Sequence, residues 1–388
     1  MEDQEMIDFG RFLRLGLALG AGAALAACAV IPKAPETPIP VPAPTTALPT
    51  DLDRHRVALL VPLQGASGAV GEAVANATTM ALLDTNATRL RITTYDTSLG
   101  APAAAARAVA DGNRLILGPL QGEDALAVAQ TARASHVPVI AFTNDAAMGG
   151  GDVFVMGVTP AQSVTRVLRY ARAQGVVRFA ALIPLGSYGE RVANAAIAAV
   201  KASGGVLVGM ESYDRSKGSL AGAVRRLKAK GPYDAVLIGD TAAAGAAAAP
   251  LLRAGAPRLR ILGTELWDHE AVVAKTPALS GAWYAALSDQ RFGRFSESYK
   301  QRFGASPYRL ATLGYDSVLL ALRVARDWVP GTPFPTARLY DRDGFLGLDG
   351  IFRFNSSEVA EHSLEVREVR GGAVRMVSPA PIRFEDGF

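Results

Sequence analysis

The 388-residue sequence has a single cysteine, Cys28, so no intramolecular disulfide, Cys-rich zinc knuckle or dithiol redox pair can form. Its only histidines are His55, His136, His269 and His362, with no His-Glu-x-x-His or His-x-His pair to set two metal ligands on one face. A metal is therefore not expected. No Gly-x-x-x-x-Gly-Lys-Ser/Thr segment is available to wrap a nucleotide phosphate, which removes ATP chemistry, and no cofactor is expected. The nearest approach to a hydrolase elbow, Gly186-Ser187-Tyr188-Gly189, lacks the Gly-x-Ser-x-Gly spacing. With neither nucleophile, base nor metal constellation, the chain does not read as an enzyme. Charge is sparse too: 20 % of residues are charged, the net charge is +4, and the basic residues are scattered, so no nucleic-acid footprint exists.

What the N-terminus does have is the layout of an export signal. Residues 15–27 contain only Leu, Ala and Gly, follow Arg11 and Arg14, and end at Cys28. Such a run is short of the roughly 20 apolar residues a membrane span needs. Leu25-Ala26-Ala27-Cys28 is similar to a bacterial lipobox, which implies cleavage of residues 1–27 and lipidation of Cys28. The alternative is a free thiol buried in a core helix. Pro32, Pro35, Pro38, Pro40, Pro42, Pro44 and Pro49 then predict an extended tether over 28–55. By the sorting rule for lipoproteins, Ala29 implies the outer membrane.

From Arg56 onward, short runs rich in β-branched residues alternate with Ala-rich stretches of helical spacing, the signature of β-α-β units and a parallel sheet. Strands are expected at 57–61, 90–95, 115–117, 137–142 and 153–156, with helices near 70–84, 101–111, 122–134 and 160–174. A second unit repeats the rhythm: strands at 179–183, 206–213, 235–238 and 260–262, and helices near 188–203, 217–230 and 243–254. Two similar α/β units imply two lobes. Helices at 292–303 and 310–328 follow, and β-type runs at 350–354, 363–369 and 373–377 are expected to complete the two earlier sheets.

Ligands of open parallel sheets sit beyond the carboxyl ends of the strands, where loops and helix N-termini converge. Those loops supply Gln64 and Ser67, Gln121, Thr143, Asn144 and Asp145 in the first unit, and Tyr188, Glu265 and Trp267 in the second. If the lobes face each other, these nine residues frame one cleft, with Tyr188 and Trp267 as stacking faces for a neutral or cationic molecule. For each of them, capping, turn formation or inter-lobe packing is the competing role. Glu265, Asp268, His269 and Glu270 form the only acidic cluster beside a histidine, suited to a cation or amine if it is not simply a helix N-terminus favouring acids. Asp341-Arg342-Asp343-Gly344 begins like a calcium loop but lacks the later ligands, and reads as a turn.

The series VALLVPLQG, LILGPL, VPVIAF, SYGERV, DAVLIGD, ILGTELWD and LGYDSVLLAL resembles the type I periplasmic binding-protein fold of branched-chain amino-acid receptors. Through AFTND, GTELWD, GLDGIFRFN and LEVREVRGG on a lipoprotein anchor, the chain more closely resembles the penicillin-binding protein activator family. This resemblance implies two lobes with a cleft between them. Lobe 1 would comprise 56–157 plus 287–357, and lobe 2 158–286 plus 358–388. It further implies a periplasmic, lipid-anchored, non-catalytic regulator of peptidoglycan synthesis whose partner is a penicillin-binding protein. A solute receptor of an ABC importer is the other implied role. Receptors of this fold hold an amino acid's carboxylate with hydroxyls and backbone N–H groups. Asp145 falls near one such hydroxyl and would repel that carboxylate.

Overall fold

The computed structural model describes residues 53–384. The expected signal segment, Cys28 and most of the proline-rich tether lie outside the described residues.

Lobe 1 opens with β1 (His55–Val61), α1 (Gly68–Asp84), β2 (Leu90–Asp96), α2 (Ala101–Ala110), β3 (Leu115–Leu117), α3 (Gly122–Arg133), β4 (Val139–Ala141) and β5 (Val153–Val155). Its five strands pair in parallel in the order β2-β1-β3-β4-β5. Strand periodicity decides which helix covers which face. Val57, Leu59 and Val61 point into one core layer with Val74 and Ala81 of α1, whereas Ala58 and Leu60 point into the other with Ala105 of α2 and Val128 of α3.

Lobe 2 repeats the plan. It contains α4 (Pro160–Ala173), β6 (Arg178–Pro184), α5 (Ser187–Ala202), β7 (Val206–Tyr213), α6 (Lys217–Ala229), β8 (Ala235–Ile238), α7 (Ala242–Arg253), β9 (Arg260–Gly263), the short α8 (Ala271–Lys275) and β10 (Trp283–Ala286). Along β6 the alternation again sorts the faces: Phe179, Ala181 and Ile183 pack with Val164 of α4 and Val192 of α5, and Ala180 and Leu182 with Ala223 of α6 and Ala248 of α7. In both lobes the turn after the first strand is closed by a glycine pressed against a proline carbonyl. A Cβ on Gly71 would overlap the Pro62 oxygen, and one on Gly189 the Pro184 oxygen.

The chain then returns. Helices α9 (Phe292–Phe303) and α10 (Ala311–Val324) lie against lobe 1, where Leu313, Leu320 and Val324 complete the α1 layer and Phe295 and Tyr299 pack on Ala73 and Ala77. The helix expected at 310–328 stops at Val324, and Trp328 beyond it stacks on His55 at 4.0 Å. Next come β11 (Phe345–Gly347), β12 (Gly350–Phe354) and β13 (Ala360–His362), then β14 (Glu365–Arg370) and β15 (Ala373–Ser378).

These late strands correct the sequence reading in two ways. The run at 350–354 does not extend the first sheet but forms the middle of a separate antiparallel sheet, β11-β12-β13, because Phe345, Phe352, Phe354 and Ala360 all seal one edge of the lobe 1 core. Consequently the third crossing, expected near 358, falls between Ser363 and Leu364: Ser363 still donates its backbone N–H to Ile351, while Leu364 is already in the lobe 2 core. Strands β14 and β15 do complete the second sheet, β14 antiparallel to β10 and β15 antiparallel to β14, in the order β15-β14-β10-β9-β8-β6-β7. Their hairpin turns at Gly371 and Gly372, with φ of +61° and +75°, the left-handed pair that a tight hairpin requires.

Candidate functional site

The loops at the carboxyl ends of the strands carry the candidate residues. After β1, Gln64 is exposed and its amide donates to Asp96 at 3.1 Å. The Asp96 carboxylate also accepts from Ser98 and from the Leu63 N–H, contacts that hold it down at about 2. Gln121, exposed ahead of α3, donates to the Ser67 hydroxyl at 3.2 Å. Thr143 is buried, and its hydroxyl accepts the Asp145 N–H at 3.1 Å, which shapes the turn that presents Asn144.

Asp145 serves twice. Its Oδ1 caps the following turn by accepting the Ala147 N–H, and its Oδ2 accepts from Arg191 Nη1 at 2.8 Å. Because Asp145 lies between β4 and β5 and Arg191 on α5, this ion pair joins the two lobes. Both side chains are about a quarter exposed, 26 % for Arg191 and 23 % for Asp145.

One turn before Arg191, the Tyr188 hydroxyl donates to Glu265 Oε1 at 2.9 Å and lies 3.1 Å from the Thr264 hydroxyl. The other carboxylate oxygen of Glu265 accepts from Ser163 on the first turn of α4. Burial raises the Glu265 carboxyl above its ordinary range, and the bonds from Ser163 and Tyr188 only partly offset this. Burial, reinforced by the Glu265 charge, likewise pushes the Tyr188 phenol far up, so it stays a neutral donor. Glu265 is thus already supplied with two hydroxyl donors from its own lobe.

Trp267 is a correction. It is fully buried, its ring fills the space left by Gly245 and Gly263, and its Nε1 donates to the Asp240 carbonyl at 3.0 Å. It offers no face to a ligand and instead braces the loop that carries Glu265. Asp268 and His269 leave the site as well. They enter a charge network at the second crossing, where Arg309 Nη1 reaches Asp289 at 2.8 Å and Arg367 reaches Asp268 at 2.6 Å and Asp289 at 2.7 Å. No group of three or more His, Cys, Asp or Glu among the described residues is arranged to hold a metal ion. Asp341 accepts the Asp343 N–H, and Gly344 closes the turn at φ +73°.

A family described as periplasmic binding protein matches residues 55–343. The chain belongs to the periplasmic binding protein family. Solved structures place this member on the two-lobe α/β fold of its family. A protein of Rhodospirillum rubrum provisionally described as a branched-chain amino acid ABC transporter superposes with a TM-score of 0.74 at 22 % identity, covering 84 % of this chain and 100 % of that one. The branched-chain amino-acid transporter substrate-binding protein LivJ of Streptococcus pneumoniae, solved in complex with isoleucine, gives 0.63 at 16 % identity over 84 % and 100 %. A solute-binding protein of Rhodopseudomonas palustris BisB5, solved with 3,4-dihydroxybenzoic acid, gives 0.64 at 20 % identity over 84 % and 97 %. At these identities the likeness carries the fold. An uncharacterized protein of Rickettsia prowazekii (strain Madrid E) is 29 % identical over 138 residues, 35 % of this chain and 37 % of that protein, so the match spans little more than a third of that relative.

Within this periplasmic binding protein, sequence reasoning missed Arg191 and Ser163. Arg191 had a legible signal: it follows Tyr188 by three residues on a helix and therefore shares its face. Ser163 had none, because its partner Glu265 is 102 residues away.

Proposed function

We propose that this periplasmic binding protein is a non-catalytic lipoprotein, anchored through Cys28 to the outer membrane, that regulates peptidoglycan synthesis by contact with a penicillin-binding protein. The observation that carries this reading is the Asp145–Arg191 pair at 2.8 Å. In an amino-acid receptor of this fold, hydroxyls of the first lobe are left free for a carboxylate. Here a carboxylate of the chain occupies that side and has its own guanidinium, while Glu265 is bonded to Tyr188 and Ser163. A cleft that binds itself across the lobes acts as a latch, and opening it changes the outer surface offered to a partner.

The second reading, a solute receptor of an ABC importer, is favoured by the neighbours solved with isoleucine and 3,4-dihydroxybenzoic acid. On that reading Gln64, Ser67, Gln121, Thr143 and Asn144 would frame the solute from lobe 1 and Tyr188 and Glu265 from lobe 2, with Asp145–Arg191 opening to admit it. A thermal-shift screen against amino acids, aromatic acids and muropeptides, run beside a synthase assay with purified penicillin-binding proteins, separates the two. A ligand at a hundred times its Kd adds about 2.7 kcal/mol to stability. The regulator reading expects faster glycan polymerisation or cross-linking and no shift with amino acids. A shift with an amino acid and no effect on any synthase would overturn it in favour of the receptor.

A further inference from the structure

Away from the inter-lobe loops, beside the second and third crossings, α8, β10, β14 and β15 line an open cavity of about 480 Å³. One wall is apolar, formed by Ala274, Val374 and Met376, and the other is acidic, formed by Glu270, Asp289 and Glu365. That volume is in the range of small-molecule sites.

Arg367 also lines the cavity, but its charge is spent. It is 7 % exposed, its Nε donates to Glu365 at 2.6 Å, Nη1 to Asp268 at 2.6 Å, and Nη2 to Asp289 at 2.7 Å and to the Leu287 carbonyl at 2.8 Å. Arg309, the second guanidinium in reach, divides itself between Asp289 and Asp349, each at 2.8 Å. Three carboxylates, Glu270, Asp289 and Glu365, therefore line a space in which both guanidinium groups are committed, with Asp268 behind it as a further partner of Arg367. Among the described residues the Glu270 side chain has no hydrogen-bond or ion-pair partner and is exposed. The buried Asp268 Oδ2 likewise accepts no hydrogen bond. Burial raises the Asp268 and Glu365 carboxyls, and the contacts from Arg367 only partly offset it.

We infer that this cavity binds a primary alkylammonium group, with the ammonium among Glu270, Asp289 and Glu365 and the methylene chain along Val374 and Met376. The apolar wall excludes a bare metal ion as the best fit, and the acidic wall excludes carboxylates and phosphates. A flexible thioether at Met376, 54 % exposed on the edge strand, suits a straight chain of variable length. This site is independent of the inter-lobe residues and of either role proposed above.

The test is a titration of the chain, labelled with 13C in its methionine methyl groups, with n-pentylammonium and with pentanoate at pH 7.5. The Met376 signal is assigned through Met376→Leu. The expected result is a saturable shift of Met376 with the ammonium, at least ten-fold weaker or absent with pentanoate, and at least five-fold weaker for Glu270→Gln. Glu270 is exposed and unpaired, so that variant keeps the fold. Nα-acetyl-lysine methylamide, added in place of pentylammonium, distinguishes a peptide side chain from a free amine as the source of the group. Equal response to both ions, no effect of Glu270→Gln, or loss of the shift in Asn144→Ala, which would move the ligand to the inter-lobe loops, overturns the assignment.

Discussion

Breaking the Asp145–Arg191 pair should open the protein, and the size of the effect follows from its setting. Unit charges about 4 Å apart attract by about 4 kcal/mol at an effective dielectric of about 20. Desolvation of two side chains about a quarter exposed, 26 % and 23 %, and the ordering of a long arginine return much of that. A net coupling of about 1–2 kcal/mol remains, about a five- to thirty-fold change in the ratio of closed to open molecules. A double-mutant cycle of Asp145→Asn, Arg191→Gln and the double variant isolates this coupling. The closed fraction can be read from spin labels on Glu123→Cys and Lys201→Cys, one exposed position in each lobe, in a Cys28→Ser background. Either single variant should populate the longer inter-label distance, and the double variant should add little more. The single-variant effect should also shrink with salt, since the screening length falls from about 30 Å at 0.01 M to about 3 Å at 1 M. A coupling within about 0.3 kcal/mol of zero, or a distance distribution blind to all three variants, would refute the latch.

Other consequences are simpler to read. Trp267→Ala should cost about 3–5 kcal/mol in urea unfolding, because a fully buried indole leaves a cavity between Gly245 and Gly263 and strips the Asp240 carbonyl of its donor; a loss under about 1 kcal/mol would mean the ring is not packed as described. Gly71→Ala and Gly189→Ala, each driving a methyl into a proline carbonyl, should both lower Tm by several degrees, whereas Gly218→Ala, with open space around it, should not. Asp316 is 4 % exposed and accepts the Leu348 N–H at 2.8 Å; burial, and next the Asp349 charge, raise its carboxyl well above the ordinary value. The folded state then holds a proton that the unfolded chain releases near pH 4, so its contribution is full below about pH 4 and is lost as pH rises to the raised native value. Asp316→Asn should therefore flatten the fall of Tm over that window, and an unchanged slope would argue against a protonated Asp316.

The strands and helices of the two α/β units were legible because their periodicities are unmixed: 115–117, 206–213, 235–238 and 292–303 begin and end where the sequence puts them. Elements fixed by distant contacts were not legible. Strand β10 is a four-residue run, Trp-Tyr-Ala-Ala, whose strand character comes from lying between β9 and β14. Strand β13 carries Glu361 and His362, and no alternation announces it; pairing with β12 does. Among the candidate residues, the loops that carry them could be read from the ends of strands, but the direction of each side chain could not. Trp267 looked like an open aromatic, and only the glycines opposite it, at 245 and 263, reveal that the core has a slot of its size. Asp145 was read as a charge that repels a ligand; its neutralising partner sits 46 residues away on the other lobe.

The return of the chain to lobe 1 sets an order of events in folding. Helix α1 is among the first elements made, yet hydrogen bonds tie it to residues far down the chain: Asn76 to Tyr299 across 223 positions and Asp84 to Tyr315 across 231. Until α9 and α10 exist, Val74, Ala77 and Ala81 lack part of their cover. Loop closure over such distances is slow, and apolar surface left waiting is open to aggregation. The sheet of lobe 2, from β6 to β10, takes only the β14–β15 hairpin from outside that stretch. A ribosome-bound or exported chain should therefore consolidate its middle first and its beginning last, and protease protection during refolding should spread from lobe 2 outward.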